Sequence, residues 1–165
     1  MGDDAPSTFL GLSEDDLASF DIAILPIPFE MTTSWGEGTE HGPAACIAAS
    51  SQVELFDPLL PSELPCGLSY HTATAWSSEA PSLLEQLSSI KSYLEPWMNG
   101  EVFPLILGGE HGILPPIIES LSAHPKLSGD VAQLTVIQID AHADLRDSLN
   151  EERFSHGTAA RRALD

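Results

Sequence analysis

Three residues whose types can do chemistry together stand two apart: Asp140, His142 and Asp144. In an extended backbone the side-chain period is two, so all three could point to one side. Two carboxylates and an imidazole converging on one point repel or desolvate one another unless a cation sits between them. Mixed oxygen and nitrogen donors suit Mn²⁺, while Zn²⁺, Fe²⁺ and Ni²⁺ remain open and Ca²⁺ fits less well. The competing reading is a polar turn after a strand, with one Asp capping the next helix. A second cluster, Gly108-Gly109-Glu110-His111, carries another ligand-type imidazole behind two glycines that let the backbone turn tightly and approach a ligand. Either string alone is weak; both in one chain point to a metal site.

The elements that must position these groups can be read from hydrophobic pattern. Asp21 to Pro28 is a continuous apolar run stopped by prolines, which predicts a buried strand. Residues 32–38 are glycines and small polar residues and read as a loop. Gly42-Pro43 opens a helix expected to run to about Phe56. Asp57 to Pro81, rich in Pro and Ser, is expected to be mostly irregular. Leu83, Leu87, Ile90, Leu94 and Trp97 recur at helical spacing, ending near Asn99-Gly100. Val102 to Leu107 is a second strand leading into the Gly-Gly-Glu-His string. A helix follows, with Pro115 and Pro116 in its first turn and Ile117, Ile118 and Leu121 as its core face. Leu134 to Ile139 predicts a third strand leading into Asp140, and a last helix starts near Thr158. Near the start, Ser13 with Asp16 could form a variant capping box.

Strands alternating with helices predict an α/β fold, three-layer α-β-α with a mainly parallel sheet. Ligands in such sheets bind beyond the carboxyl ends of the strands, where both clusters fall. The chain divides into an acidic N-terminal segment, 1–20, and one domain, 21–165.

Six Lys and Arg against 25 Asp and Glu leave a net charge of −19. That field repels nucleic acid and anionic membranes, so no nucleic acid and no membrane is expected as a partner. Cys46 and Cys66 are too few and too far apart for a zinc ribbon or a disulfide framework, and they read as buried or free thiols. No basic n-region, apolar h-region or membrane-length apolar run is visible, so a soluble cytoplasmic protein is expected.

Gly-Gly-Glu-His followed by Asp-Ala-His-Ala-Asp, each at a strand end, resembles the ureohydrolases: arginases, agmatinases and their relatives. Pro26-Ile-Pro-Phe-Glu30, Thr33-Ser-Trp-Gly-Glu-Gly-Thr39 and Gly42-Pro-Ala-Ala45 resemble the family's first strand, loop and helix. Gln52 to Asp57 and Ser155-His-Gly-Thr158 look closer to agmatinase-type members than to arginases proper. The resemblance implies an arginase-like fold and hydrolysis of a linear guanidino compound, with agmatine giving putrescine and urea through a hydroxide held by two Mn²⁺. It implies His111 as a ligand to one manganese, Asp140 as a bridge, His142 on the second metal, and Asp144 on the first and on the hydroxide. His156 would be the substrate-side histidine that shuttles a proton or orients the guanidinium group. Glu110 is expected to orient neighbours or cap a helix rather than bind metal.

The family's third motif, Ser-x-Asp-x-Asp with the remaining ligands, does not occur in the 165 residues. On the family pattern the chain thus holds four ligands, His111, Asp140, His142 and Asp144. Weak metal binding, little or no hydrolysis by this chain alone, and an exposed apolar sheet edge are expected. Three alternatives follow: part of an agmatinase-like enzyme, a noncatalytic metal-binding or regulatory partner of a full-length ureohydrolase, or another metal hydrolase. A homo-oligomer or association with a full-length homologue is open. Of the other candidates, His41 reads as a cap or surface residue, His71 and His124 as structural or exposed, and Arg146 and Asp147 as a surface pair. Trp35 shapes a substrate mouth or packs its loop.

Overall fold

Ile22–Ile27 forms β1, and its last five residues are buried because apolar side chains on both faces are covered. The computed structural model describes residues 8–14, 19–60 and 67–165. The capping-box position Asp16 and the thiol of Cys66 lie outside the described residues. Two further strands pair with β1 in parallel: β2, Tyr70–Thr72, on one side and β3, Phe103–Gly108, on the other, in the order β2-β1-β3. The β1–β3 register runs from Ile22 opposite Phe103 to Ile27 opposite Gly108, so both strands end at one level. That register lays Pro28–Thr32 beside Gly109–His111.

Four helices accompany the sheet: α1, Gly42–Ser50; α2, Leu83–Leu94; α3, Leu114–Ser120; and α4, Ala159–Leu164. Ala23, Leu25 and Ile27 of β1 share one core with Leu87, Ile90 and Leu94 of α2. Each of these Leu and Ile side chains contributes roughly 1.5–3 kcal/mol on full burial. The alternation of the strand sends Ile24 and Pro26 to the opposite face, where Pro43 and Ile47 of α1 line a cavity with Pro26. Helices thus cover both faces of the parallel sheet, as the three-layer expectation required.

Sequence chemistry explains the helix limits. Ser82 opens α2 with a capping box: its hydroxyl accepts from Glu85 N–H, and the Glu85 carboxylate accepts from Ser82 N–H. Pro115 follows at the start of α3, where a missing N–H costs nothing. The first helix is shorter than expected, ending at Ser50 rather than near Phe56. There Ser50 and Ser51 hydroxyls donate to the carbonyls of Ile47 and Ala48, competing with the backbone ladder.

One element adds to the sequence expectation and another corrects it. The stretch read as mostly irregular holds one short strand, β2, fastened by Asp21, whose carboxylate accepts from Ser69 N–H at 2.8 Å and Ser69 Oγ at 2.9 Å. Residues 134–139, expected as the third strand, have no place in the sheet. Their apolar side chains lie open, with Ile137 85% and Ile139 99% exposed. An apolar run becomes a strand through ladder partners and covering faces, and among the described residues this one has neither. No helix among the described residues is long and apolar enough to cross a membrane.

Candidate metal centre

Gly109 begins the site. Its N–H donates to Ile27 O at 3.0 Å, Glu110 N–H donates to Phe29 O at 3.0 Å, and the two chains run in close contact. A Cβ on Gly109 would lie 2.2 Å from the Phe29 carbonyl oxygen, so glycine is required for that approach. The tight passage delivers His111 to the carboxyl end of the sheet, at the start of a 3-10 turn leading into α3.

There His111 Nδ1 lies 2.7 Å from Asp144 Oδ2 and 3.4 Å from Asp140 Oδ2. One donor atom from each of the three residues falls within 4.8 Å of the others. One imidazole nitrogen and two carboxylates suit a first-row divalent cation, and at these separations one ion can be shared by all three. The donor set therefore fits a metal. Asp140 is held below the usual carboxylate range, chiefly by His142 N–H donating to it; desolvation opposes, and Gln138 and the His111 charge add to the lowering.

His142 is not gathered with them. Its Nδ1 is 3.8 Å from Asp140 Oδ1 and its side chain is 82% exposed. The expected same-side alternation fails because residues 140–144 are not extended as a strand. His142 N–H instead bonds Asp140 Oδ1 at 2.8 Å, an Asx turn, and Asp144 sits at φ +49°, in the left-handed region. Arg161 N–H, in the first turn of α4, donates to Asp144 O at 3.0 Å and fixes that backbone.

His156 lies on another wall of the same region. An open cleft of about 680 Å³ is lined by Ser34, His142, Asp144 and His156 among others. His156 Nε2 is 3.0 Å from Ser34 Oγ, and its Nδ1 is 3.4 Å from Thr32 Oγ1. Thr32 and Ser34 escaped the sequence reading as site residues, though a run of three hydroxyl residues at 32–34 was the available signal.

Glu110 is buried and caps nothing with its side chain. Its carboxylate instead accepts from Met31 N–H at 2.8 Å, Thr32 N–H at 2.7 Å and Thr32 Oγ1 at 2.5 Å. At the other end of this loop Glu30 accepts from Gly38 N–H at 2.9 Å and Glu40 N–H at 3.0 Å. Two carboxylates thus hold the loop over the cleft.

The remaining candidates separate by environment. Trp35 is 95% exposed, so it does not pack its loop. His41 is exposed beside Glu40, and His124 accepts from Lys126 N–H in a turn. His71 stands on β2 rather than in a loop, 3.0 Å from Glu14 Oε2, with the rings of Phe20 and Trp97 against it. Asp147 pairs with the buried Arg162 at 2.9 Å rather than with Arg146, and Cys46 is an exposed free thiol.

The molecule is thus an α/β domain whose parallel sheet carries His and carboxylate donors beyond the carboxyl end of its strands. Residues 20–165 match the arginase family, and the chain belongs to it. It is 32% identical over 149 residues to the N(1)-aminopropylagmatine ureohydrolase of Synechocystis, covering 87% of this chain and 47% of that protein. An agmatinase of Bacillus cereus is 31% identical over 144 residues, again 87% and 47%. The formiminoglutamase of Trypanosoma cruzi with Mn²⁺ superposes with a TM-score of 0.72 at 23% identity, covering 88% of this chain and 48% of that one. The chain spans about half the length of the curated relatives it matches.

Proposed function

We propose that the chain carries part of the machinery of a metal-dependent hydrolase acting on a linear guanidino compound, with agmatine, giving putrescine and urea, as the substrate. The observation that carries the reading is one cleft bordered by Asp144 of the donor cluster on one wall and His156 on another. Family membership and relatives named agmatinase and ureohydrolase support it.

His111, Asp140 and Asp144 would hold the cation, Mn²⁺ by the chemistry of the donors and by the ion in the Trypanosoma cruzi relative. His142 would join a second ion only after turning from solvent toward Asp140. When bound, such ions supply the Lewis acidity that makes water a competent nucleophile at neutral pH. Asp144 has a second carboxylate oxygen free to orient the attacking water. His156 presents its ring to the cleft, where Nε2 takes up a proton and passes it to the departing amine. Three gathered donors serve one ion, so the chain alone is expected to release urea at or near the uncatalysed rate.

The test combines turnover with ligand binding. Urea release from agmatine with added Mn²⁺, and ring resonances of His156 during agmatine titration, are measured on the chain and on His111→Ala and Asp140→Asn. Agmatine is expected to perturb His156 in the chain loaded with diamagnetic Zn²⁺, which leaves the ring resonances sharp, and any urea above the uncatalysed rate with Mn²⁺ to vanish in both variants. Mn²⁺-dependent hydrolysis of a non-guanidino substrate, with no response to agmatine, contradicts the reading. A stable complex with a full-length homologue that adds no urea would instead assign the chain as a noncatalytic partner.

A further inference from the structure

The loop that overhangs the cleft contains a hydroxyl whose hydrogen-bonding capacity is completely used. Thr32 Oγ1 has one proton to give and two lone pairs to receive. Its neighbour at 2.5 Å is Glu110 Oε1, and an ionised carboxylate can only accept, so the proton goes there. Glu110 is committed to this side of the loop, since Oε2 takes the N–H groups of Met31 and Thr32. Gly112 leaves the space: a Cβ there would fall 2.7 Å from Glu110 Oε1. One lone pair of Thr32 Oγ1 receives His156 N–H at 3.0 Å. The other faces His156 Nδ1 at 3.4 Å.

We propose that Glu110 is a positioning residue that sets the tautomer of His156 through Thr32, placing the ring proton on Nδ1 and leaving Nε2 as the proton acceptor on the cleft side. A bare Nδ1 would put two lone pairs face to face, because the Thr32 proton is already given to Glu110. With Nδ1 protonated, every group is matched: Nδ1–H donates to Thr32 Oγ1, and Nε2 accepts from Ser34 Oγ at 3.0 Å. Which ring nitrogen carries the proton is set by the bond the other nitrogen makes. The residue beside His111 thereby also orients the histidine across the cleft, joining the two halves of the site through one carboxylate. The tautomer stands on these contacts alone. Its use in turnover rests on the ureohydrolase reading above.

The experiment is a long-range ¹H–¹⁵N correlation spectrum of the histidine rings of the ¹⁵N-labelled, metal-free chain, at a pH where the imidazole is neutral. A His156→Gln variant identifies the His156 signals. The wild-type chain and Thr32→Ser, which keeps the hydroxyl, should show His156 protonated at Nδ1. In Glu110→Gln the new amide can donate to Thr32 Oγ1, freeing the hydroxyl proton to turn toward Nδ1. The pyrrole-like and pyridine-like nitrogen shifts should then exchange between the two ring positions. Thr32→Val should give the same exchange from the other side of the contact, and it reads the proposal even if Glu110→Gln does not fold. An Nε2-protonated His156 in the wild type overturns the proposal, as does an Nδ1 proton that persists in the folded variants. Neither result alters whether agmatine perturbs His156, so the two readings fail separately.

Discussion

At Gly109 the added Cβ of alanine would meet backbone, not a side chain that could swing away. Gly109→Ala must therefore push β3's exit off the Phe29 carbonyl, at a cost of about 3 kcal/mol, the upper end for overpacking. Urea denaturation should show the loss, and a midpoint equal to wild type would contradict it. The same displacement should move His111 away from Asp140 and Asp144. Sequence reasoning recognised the two glycines as a tight passage but could not name the neighbour, because Phe29 is about eighty residues distant in the chain. It likewise identified His111, Asp140 and Asp144 as ligand types, while the Asx turn that excludes His142 depends on a local hydrogen bond that pattern does not reveal.

Among the elements, pattern was most informative where burial does the ordering. β1, β3 and α2 follow their apolar periods closely, since each has a covered face. The 134–139 run is also mostly apolar yet lies exposed, because a strand also needs a neighbour. β2 was illegible for the opposite reason. Its three residues are held by polar clasps, Asp21 to Ser69 and Glu14 to Thr72 N–H, rather than by an apolar repeat. The first clasp gives a pH prediction. Asp21 is held below its ordinary value of 3.8, chiefly by Ser69 N–H and then by Ser69 Oγ. A lowered folded value means the carboxylate's contribution is present above 3.8 and is lost as pH falls through the folded value. The wild type should therefore melt slightly above Asp21→Asn at neutral pH, and the gap should close below 3.8. Thermal melts across that range check it; a gap that widens in acid would contradict it.

For the whole molecule, the fold serves the site by ending two parallel strands at one level and hanging both the 31–40 loop and His111 there. An anionic chain, net −19, attracts cations generally, so binding must be shown to be local to the cluster. Phe103 of β3, and Ile137 and Ile139 of the 134–139 segment, carry apolar side chains open to solvent. The charge of the chain was legible at once. The reduction from four expected ligands to three gathered ones was not, because it follows from where the backbone turns at Asp144.

Mn²⁺ titration followed by electron paramagnetic resonance tests whether His111, Asp140 and Asp144 form a cation site. Weak but saturable binding of one ion per chain is expected. That binding should weaken about tenfold or more in His111→Ala and Asp144→Asn and stay nearly unchanged in His142→Ala. Non-saturating uptake that is equal in all four proteins would mean that the acidic surface, not the cluster, holds the metal.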